Sequence, residues 1–193
     1  MRHPHVAVFC ASSNDVEPRF IAVAQCMGAI LAELEYTLVY GGGDIGLMGA
    51  LARAVHAGGG RVVGVIPHAL KSIEGVAYEV ADELIMTDTM RERKATIYER
   101  ADAFVALPGG IGTLEEFLEV ITLKKLRYHN LPIALVSTDG FFDRLLEFFQ
   151  ELKEHRFVVA SHPPLFETVA EPGQIFQTAS FRKAFSRTAG LRP

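Results

Sequence analysis

Short apolar runs, many of them rich in β-branched residues, recur along the chain and alternate with longer segments of helical periodicity. Runs that are apolar throughout are typical of strands buried on both faces of a parallel sheet. The sequence therefore predicts six strands, at residues 6–9, 37–40, 61–66, 83–86, 103–107 and 132–136.

Apolar residues between these runs follow the i, i+3, i+4, i+7 spacing of an amphipathic helix. The clearest examples run from Phe20 to Leu34, from Leu114 to Ile121 and from 141 to 152. In the last of these, we expect the phenylalanines to lie in the core rather than to stack on a base. The alternation predicts an α/β fold, doubly wound, with a mainly parallel sheet and helices on both faces.

We expect residues 1–193 to form a single domain, since no repeat or linker interrupts the alternation before about residue 160. A chain of this length can bury a sizeable core. Residues 161–193 are the less regular part: a turn-rich stretch, then one helix and a loose end. They are expected to be a C-terminal extension of the same domain.

The composition is ordinary for a globular protein, with 49% apolar and 22% charged residues. A net charge of −4 gives no indication of a nucleic-acid or membrane partner. We expect neither a signal peptide nor a membrane span, because no apolar run reaches the roughly 18 residues that a span requires. Cys10 and Cys26 lack a zinc-like arrangement with histidine, so we expect reduced thiols, no metal site and a cytoplasmic location.

Functional residues are expected just after the strands, because ligands of such sheets bind outside the carboxyl ends of the strands. Three stretches lie there. They are GGGDIG at 41–46, TDTMRERK at 87–94 and PGGIGTLEE at 108–116.

The first glycine loop contains Gly41, Gly43 and Gly46 at the spacing of the dinucleotide fingerprint. That fingerprint also needs an acidic residue at the end of the next strand, but none occurs before Glu74, so NAD is disfavoured. Two interpretations stay open. The loop either approaches a phosphate, or it is a tight turn with Asp44 as the N-cap of the next helix.

In the second glycine loop, Pro108 ends a strand, and Gly109, Gly110 and Gly112 allow tight turns and close backbone approach. We expect Thr113 to begin the next helix. The free N–H groups and the dipole of a helix N-terminus favour an anion. This loop therefore predicts a phosphate site.

Two glutamates, Glu115 and Glu116, follow the phosphate-binding glycines at once. One interpretation is a capping box formed by Thr113 and Glu116. The other follows from charge, because a carboxylate about 4 Å from a phosphate costs a few kcal/mol. A nucleoside monophosphate removes the conflict: its phosphate lies on the glycines and its sugar faces a glutamate. Cleavage of the N-glycosidic bond builds positive charge on the sugar, which a carboxylate stabilises.

The basic stretch carries Arg91, Arg93, Lys94 and Arg100 on a predicted helix capped by Thr89. It is either a solvated charged face or, since it follows a strand, part of the ligand site. Arg91 and Arg93 point about 200° apart on a helix, so one of them at most faces a given pocket. Periodicity does not choose between them.

The stretches GGGDIGLMG, MRERK, PGGIGTLEE and EVIT resemble the LOG (lonely guy) family of cytokinin riboside 5′-monophosphate phosphoribohydrolases, from about residue 9 to about residue 150. The resemblance implies a Rossmann-like fold, a homodimer and no metal or organic cofactor. It also implies hydrolysis of a nucleoside 5′-monophosphate to free base and ribose 5-phosphate. AMP is as good a candidate substrate as a cytokinin nucleotide.

The resemblance places catalysis on Arg93 and Glu116. Arg93 would contact the sugar and the transition state, and Glu116 would activate water or stabilise the oxocarbenium ion. The residues expected to bind the substrate are Ser12, Ser13, Gly42, Gly43, Met90, Lys94, Pro108, Gly109, Gly110, Gly112, Thr113 and Glu115.

The sequence departs from the family pattern at Arg91, which replaces a histidine, and at Leu123, Lys125 and Arg127, which replace Trp, Gln and Gly. These changes bear on base recognition and on the dimer surface. A non-catalytic alternative is a nucleotide or phosphorylated-cofactor binding protein similar to molybdenum cofactor carriers. A pyridoxal-dependent lysine decarboxylase is disfavoured, because that chemistry needs a Schiff-base lysine and Lys94 is the one lysine near the predicted cleft.

Overall fold

The computed structural model describes residues 3–74, 77–158 and 164–186. Within those residues, seven strands form one sheet in the order β4-β3-β2-β1-β5-β6-β7, and every neighbouring pair is parallel. The strands are β1 (His5–Phe9), β2 (Thr37–Tyr40), β3 (Val62–Pro67), β4 (Glu83–Thr87), β5 (Ala103–Ala106), β6 (Ile133–Val136) and β7 (Glu167–Val169). The six predicted strands and the predicted α/β class are confirmed.

Helices connect the strands and cover both faces of the sheet. They are α1 (Pro18–Glu33), α2 (Gly46–Ala57), α3 (His68–Glu74), α4 (Met90–Arg100), α5 (Ile111–Lys125), α6 (Asp143–Glu154) and α7 (Ala179–Phe185). Two 3₁₀ turns follow the last two strands: Thr138–Gly140 comes after β6, and Pro172–Gln177 comes after β7. In the described parts of the chain, no helix has both the length and the hydrophobicity to cross a bilayer.

The direction of winding reverses at the centre of the sheet. The chain proceeds from β1 outwards to β4, then returns to β5 on the other side of β1 and continues outwards to β7. The loops after β1 and β5 therefore diverge and leave a crevice between them, which is the usual ligand position in such folds.

The hydrophobic core has two layers, one on each side of the sheet. Val6 and Val8 of β1 pack into the layer that contains α1 and α2, whereas Ala7 and Phe9 pack into the layer that contains α4 and α5. All four side chains are buried, which explains why β1 reads as a continuous apolar run rather than an alternating one.

The C-terminal part contains a strand that the sequence does not predict. β7 has three residues and pairs with β6, with Glu167 opposite Ala134. A three-residue strand with a charged first position is too short to stand out among turn residues. The helix predicted after it is α7, in which Phe181 and Phe185 are buried. The predicted loose end at 187–193 lies outside the described residues.

The expectation that the phenylalanines near α6 all lie in the core is wrong. No residue of α6, as the structure describes it, is fully buried, and Phe148 is exposed, as is Phe141 just before the helix. Phe149 and Leu145 are partly buried against the core. Leu145, Leu146 and Phe149 pack against the core layer that contains α4 and α5, so the core covers part of the apolar stripe of α6 and leaves Phe148 exposed.

Candidate active site

A cleft opens at the carboxyl ends of the central strands, beside the switch point between β1 and β5. Its volume is about 350 Å³, and its walls come from the end of β1, the loop after β2, α4 and the start of α5. Ten predicted site residues line it: Ser12, Ser13, Gly43, Met90, Arg93, Gly110, Gly112, Thr113, Glu115 and Glu116.

A buried ion pair lies in the wall of this cleft. Nη1 of Arg93 donates to Oε1 of Glu116 at 2.9 Å, and both residues are buried. Nε of Arg93 donates to the carbonyl oxygen of Val65 at 3.1 Å, at the end of β3. Arg91, by contrast, is exposed on the other side of α4. The structure thus chooses between the two arginines that periodicity leaves open.

The register of α4 directs Arg93 inwards. Oγ1 of Thr89 accepts the N–H of Glu92 at 3.1 Å, which confirms Thr89 as the N-cap. The Glu92 carboxylate accepts the N–H of Asp88 at 2.9 Å. From this start, the buried residues of the helix are Arg93 and Ile97, four positions apart on one face.

Burial raises the pKa of Glu116 above its ordinary value, while the charge and hydrogen bond of Arg93 oppose that rise. Glu115 raises the pKa further and Lys94 lowers it. A desolvated carboxylate that is held ionised by one arginine is a stronger base than an exposed glutamate. It can take a proton from water or face a developing positive charge.

The thiol of Cys10, at the end of β1, lies in the same cleft. Burial, and to a lesser extent the charge of Glu116, raises the pKa of this thiol far above its ordinary value. Cys10 therefore stays protonated and is not a nucleophile, which needs the thiolate. Its position directly after a strand is a signal that could have placed it in the cleft. Met48, Leu70 and Ile111 also line the cleft and carry no such signal.

The helix after the second glycine loop begins earlier than predicted. α5 starts at Ile111 with Gly110 as its N-cap, so the predicted start at Thr113 and the capping box of Thr113 with Glu116 are wrong. The extended backbone of Gly110 lets the helix begin at once. Thr113 is buried, and a Cβ on Gly109 would overlap its hydroxyl.

The first turn of α5 presents an open backbone to the cleft. Gly110 and Gly112 line the cleft, and a Cβ on either would meet no described atom within 4 Å apart from its chain neighbours and the backbone of its own helix. The first hydrogen bond of the helix runs from Leu114 N–H to Gly110 C=O. The N–H groups of residues 111–113 precede that bond and have no partner within the helix, which makes this turn a ready anion site.

The loop after β2 is a tight, internally bonded turn. Gly42 has φ of 77°, and its carbonyl accepts the N–H of Tyr78 at 2.9 Å. The hydroxyl of Tyr40 donates to the Gly43 carbonyl at 3.1 Å. The predicted N-cap role of Asp44 is wrong, because α2 starts after Ile45. Asp44 instead forms a salt bridge with Arg53, which lies on α2.

Four predicted site residues lie outside the lining of this cleft. Gly42 is buried beneath it. Nζ of Lys94 contacts two carboxylates, Glu115 at 2.5 Å and Glu119 at 2.6 Å. The remaining two line a neighbouring cavity of about 380 Å³ on the far side of the loop; they are Pro108 and Gly109.

Comparison with known proteins identifies the family. A family model described as "Possible lysine decarboxylase" matches residues 48–179. The "Cytokinin riboside 5'-monophosphate phosphoribohydrolase LOG2" of Arabidopsis thaliana is 40% identical over 176 residues, which are 91% of this chain and 82% of that protein. This chain belongs to the LOG family. A rice relative (Oryza sativa subsp. japonica), "Probable cytokinin riboside 5'-monophosphate phosphoribohydrolase LOGL5", is 45% identical over 157 residues, and the match covers 81% of this chain and 63% of the rice protein.

The LOG fold also occurs among proteins of other names. The molybdenum cofactor carrier protein MCP of Chlamydomonas reinhardtii superposes with a TM-score of 0.71 at 20% identity, over 96% of this chain and 99% of that chain. At this identity the likeness shows the fold alone. The two LOG relatives from Arabidopsis and rice, at about twice that identity, are named for hydrolysis of a nucleotide.

Proposed function

We propose that this LOG protein hydrolyses the N-glycosidic bond of a purine or cytokinin nucleoside 5′-monophosphate, releasing the free base and ribose 5-phosphate. The observation that carries the proposal is the buried pair of Arg93 and Glu116 in a cleft that also contains the open first turn of α5. An anion site and a basic carboxylate in one cavity fit a ligand with a phosphate at one end and a reacting sugar at the other.

The phosphate binds to the first turn of α5. The backbone at Gly110 and Gly112 leaves room for it, and the N–H groups of residues 111–113 are available to donate. Ser13 adds a side-chain donor from the facing loop: its Oγ accepts the N–H of Asp15 at 3.1 Å, which leaves its own proton for the ligand. Backbone donors at a helix N-terminus bind phosphate without a metal or a further cation.

The glycosidic bond breaks opposite Glu116. The bond from C1′ to the base nitrogen breaks with its electron pair leaving on the base, and positive charge develops on the sugar. The Glu116 carboxylate stabilises that charge. Water forms the new bond to C1′ and gives a proton to Glu116, while the departing base takes a proton from solvent, to which Glu116 later returns its own. Arg93 keeps the carboxylate ionised and aimed at the cleft through the 2.9 Å bond. Lys94 does not suit a decarboxylase, because its hydrogen bond to Glu115 raises the pKa of its ammonium and a Schiff base needs a neutral amine.

The protein acts as a cytoplasmic homodimer in this proposal. Apolar side chains are exposed at the cleft mouth and along α5: Ile111 is 87% exposed, Met90 47% and Leu118 40%. An exposed apolar patch of this kind is typical of a protein interface. Cys10 and Cys26 are unpaired, which suits a reducing compartment. The mass measured by light scattering tests the dimer.

The experiment that tests the activity is release of free base from AMP and from a cytokinin riboside 5′-monophosphate, followed by chromatography. The Glu116→Gln variant should lose about 10²–10⁴-fold in kcat, the range for a positioned acid or base. Arg93→Gln should lose activity as well, and the matched control Arg91→Gln should not. Binding of both nucleotides by the wild-type protein without release of base would contradict the proposal and favour a carrier instead.

A further inference from the structure

A second group of charged residues joins α4 to α5 beside the buried pair. We call Lys94, Tyr98, Glu115 and Glu119 the outer charge cluster. Nζ of Lys94 contacts Oε1 of Glu115 at 2.5 Å and Oε2 of Glu119 at 2.6 Å. The hydroxyl of Tyr98 donates to Oε2 of Glu119 at 2.9 Å. The two helices are thus bridged twice, once in the core and once towards the surface.

The two bridges are offset by one residue on each helix. Lys94 follows Arg93 in α4, and Glu115 precedes Glu116 in α5. The inner bridge has one cation and one carboxylate, whereas the outer charge cluster has one cation for two carboxylates. Removal of Lys94 would take away the cation that pairs with both Glu115 and Glu119.

Lys94 is placed to serve these carboxylates rather than a substrate. Its side chain is 19% exposed, and it lies outside the lining of the cleft. Glu115, its partner, does line the cleft. Two of the three N–H donors of the Lys94 ammonium face carboxylates on α5.

We propose that Lys94 is a positioning residue, which neutralises Glu115 and Glu119 so that Glu116 remains an ionised carboxylate while the enzyme works. This inference rests on the proposed function of the buried pair. It assigns to Lys94 an effect on catalysis that is transmitted through Glu115 and Glu116 rather than through the nucleotide.

The electrostatic surroundings of Glu116 support this assignment. Burial is the largest influence and raises its pKa, Arg93 lowers it, Glu115 raises it and Lys94 lowers it. The other titratable groups that interact with it are neutral: burial keeps the thiol of Cys10 on β1 protonated, and burial and Glu119 do the same for the phenol of Tyr98 on α4. Lys94 is therefore the second cation acting on Glu116 and the one that also cancels a neighbouring carboxylate.

The first test is the pH dependence of kcat/KM for base release in Lys94→Met, which keeps the aliphatic stem and removes the charge. We expect the acidic limb to move to higher pH, so that the loss at pH 5.5 exceeds the loss at pH 8 by roughly three- to tenfold. Lys94→Arg should retain the wild-type limb. Lys94→Met with Glu115→Gln should bring the limb back towards the wild type. An equal loss at every pH, or a rise in KM alone, would overturn the proposal, because it would indicate a packing or a substrate-binding role.

Glu115→Gln alone covers the case in which Lys94→Met does not fold. It removes the carboxylate that raises the pKa of Glu116, so the acidic limb should move to lower pH. If the acidic limb moves to higher pH in this variant, or does not move, the proposed effect of Glu115 and Lys94 on Glu116 is contradicted.

The second test needs no activity. The carboxyl carbon of Glu116 is followed by ¹³C NMR in the full chain during a pH titration, with Glu116→Gln used for assignment. Its midpoint should rise in Lys94→Met and return in the double variant. An unchanged midpoint would overturn the role of Lys94 whether or not the protein releases base. The expected midpoint shifts in a protein that releases no base would instead remove the proposed function and leave the coupling intact.

Discussion

The two glycine loops of the site have similar sequences and opposite surroundings. In the loop after β2, a Cβ on Gly41 would overlap Nη2 of Arg93, and a Cβ on Gly43 would lie 2.6 Å from Cε of Met48. In the loop after β5, a Cβ on Gly110 or Gly112 would meet no described atom within 4 Å other than those of its chain neighbours and of the backbone of its own helix. At the first loop, Arg93 and Met48 occupy the space that a side chain would take, whereas at the second loop that space is open.

The difference teaches that glycine has two uses at one ligand site. After β2, the missing side chain of Gly41 makes room for the guanidinium that holds Glu116, so in the proposed function this glycine acts through Arg93. After β5, the missing side chains leave backbone N–H groups accessible to an anion. Whether the first loop also approaches a phosphate stays a prediction, and the phosphate interpretation of the second loop is part of the proposed function.

Gly41→Ala should have the largest effect on this contrast. The new methyl group would displace the guanidinium of Arg93 from Glu116, and we expect base release to fall by about 100-fold or more. The displaced atom is the end of a long side chain, so the fold should survive. Activity and the thermal midpoint measured on the same sample test this, and full activity in Gly41→Ala would contradict the packing around Arg93.

The pH dependence of kcat is the next way to distinguish the two loops. Glu116, whose partner Arg93 packs on Gly41 of the first loop, titrates, whereas the backbone N–H groups after the second loop do not. Because burial raises the pKa of Glu116 above 4.5 and the ionised form is required, kcat should fall about tenfold per pH unit below a limb that lies above that value. A kcat that stays constant down to pH 4.5 would contradict the role of Glu116.

Gly112→Ala should have a moderate effect, and on binding alone. A methyl group in the open space should raise KM for AMP by about tenfold, as expected when one hydrogen bond to a charged group is lost. The thermal midpoint should stay the same or rise, because alanine favours a helix over glycine. The acidic limb of kcat should not move. A stable variant with an unchanged KM would contradict the proposal that the phosphate binds to this turn.

The smallest effect is expected at the C-terminal end of α5, where Arg127 occupies a position whose backbone conformation favours glycine. Arg127 follows the C-cap with φ of 67°, and the N–H groups of Arg127 and Tyr128 donate to the carbonyls of Lys124 and Leu123, each at 3.0 Å. This is the Schellman arrangement, which usually has glycine at this position. Arg127→Gly should stabilise the protein by about 0.5–1 kcal/mol, or about 1–4 °C in Tm, without changing activity. A lower Tm would show that the arginine side chain makes a stabilising contact.

The sequence predicts the parts of the fold that depend on long, regular patterns. Six strands, the helices between them and the edge of the sheet that carries the site follow from apolar runs and from helical periodicity. β7 is missed because three residues contain no pattern. Phe148 is misplaced because periodicity marks an apolar stripe and says nothing of whether a neighbour covers it.

The site is predicted less completely, because its details depend on contacts between elements distant in sequence. Periodicity alone does not choose Arg93 over Arg91; the cap at Thr89, which the T-x-x-E motif predicts, and the buried position of Ile97 set the register that turns Arg93 inwards. The pairing of Lys94 with α5 requires the register of one helix against another. Whether a glycine is crowded or open depends on which side chain reaches it in space.

The hydrogen bonds of Arg93 limit how a nucleotide can use it. A guanidinium grips phosphate best as a fork, with two parallel N–H groups from one of its two edges. One edge contains Nε, which is bonded to the Val65 carbonyl, and the other contains Nη1, which is bonded to Glu116. Nη2 is shared by both edges, so Arg93 can offer it to a sugar oxygen and keep both of its bonds. A bidentate grip on phosphate would break one of them, so in the proposed function the sugar rather than the phosphate faces Arg93.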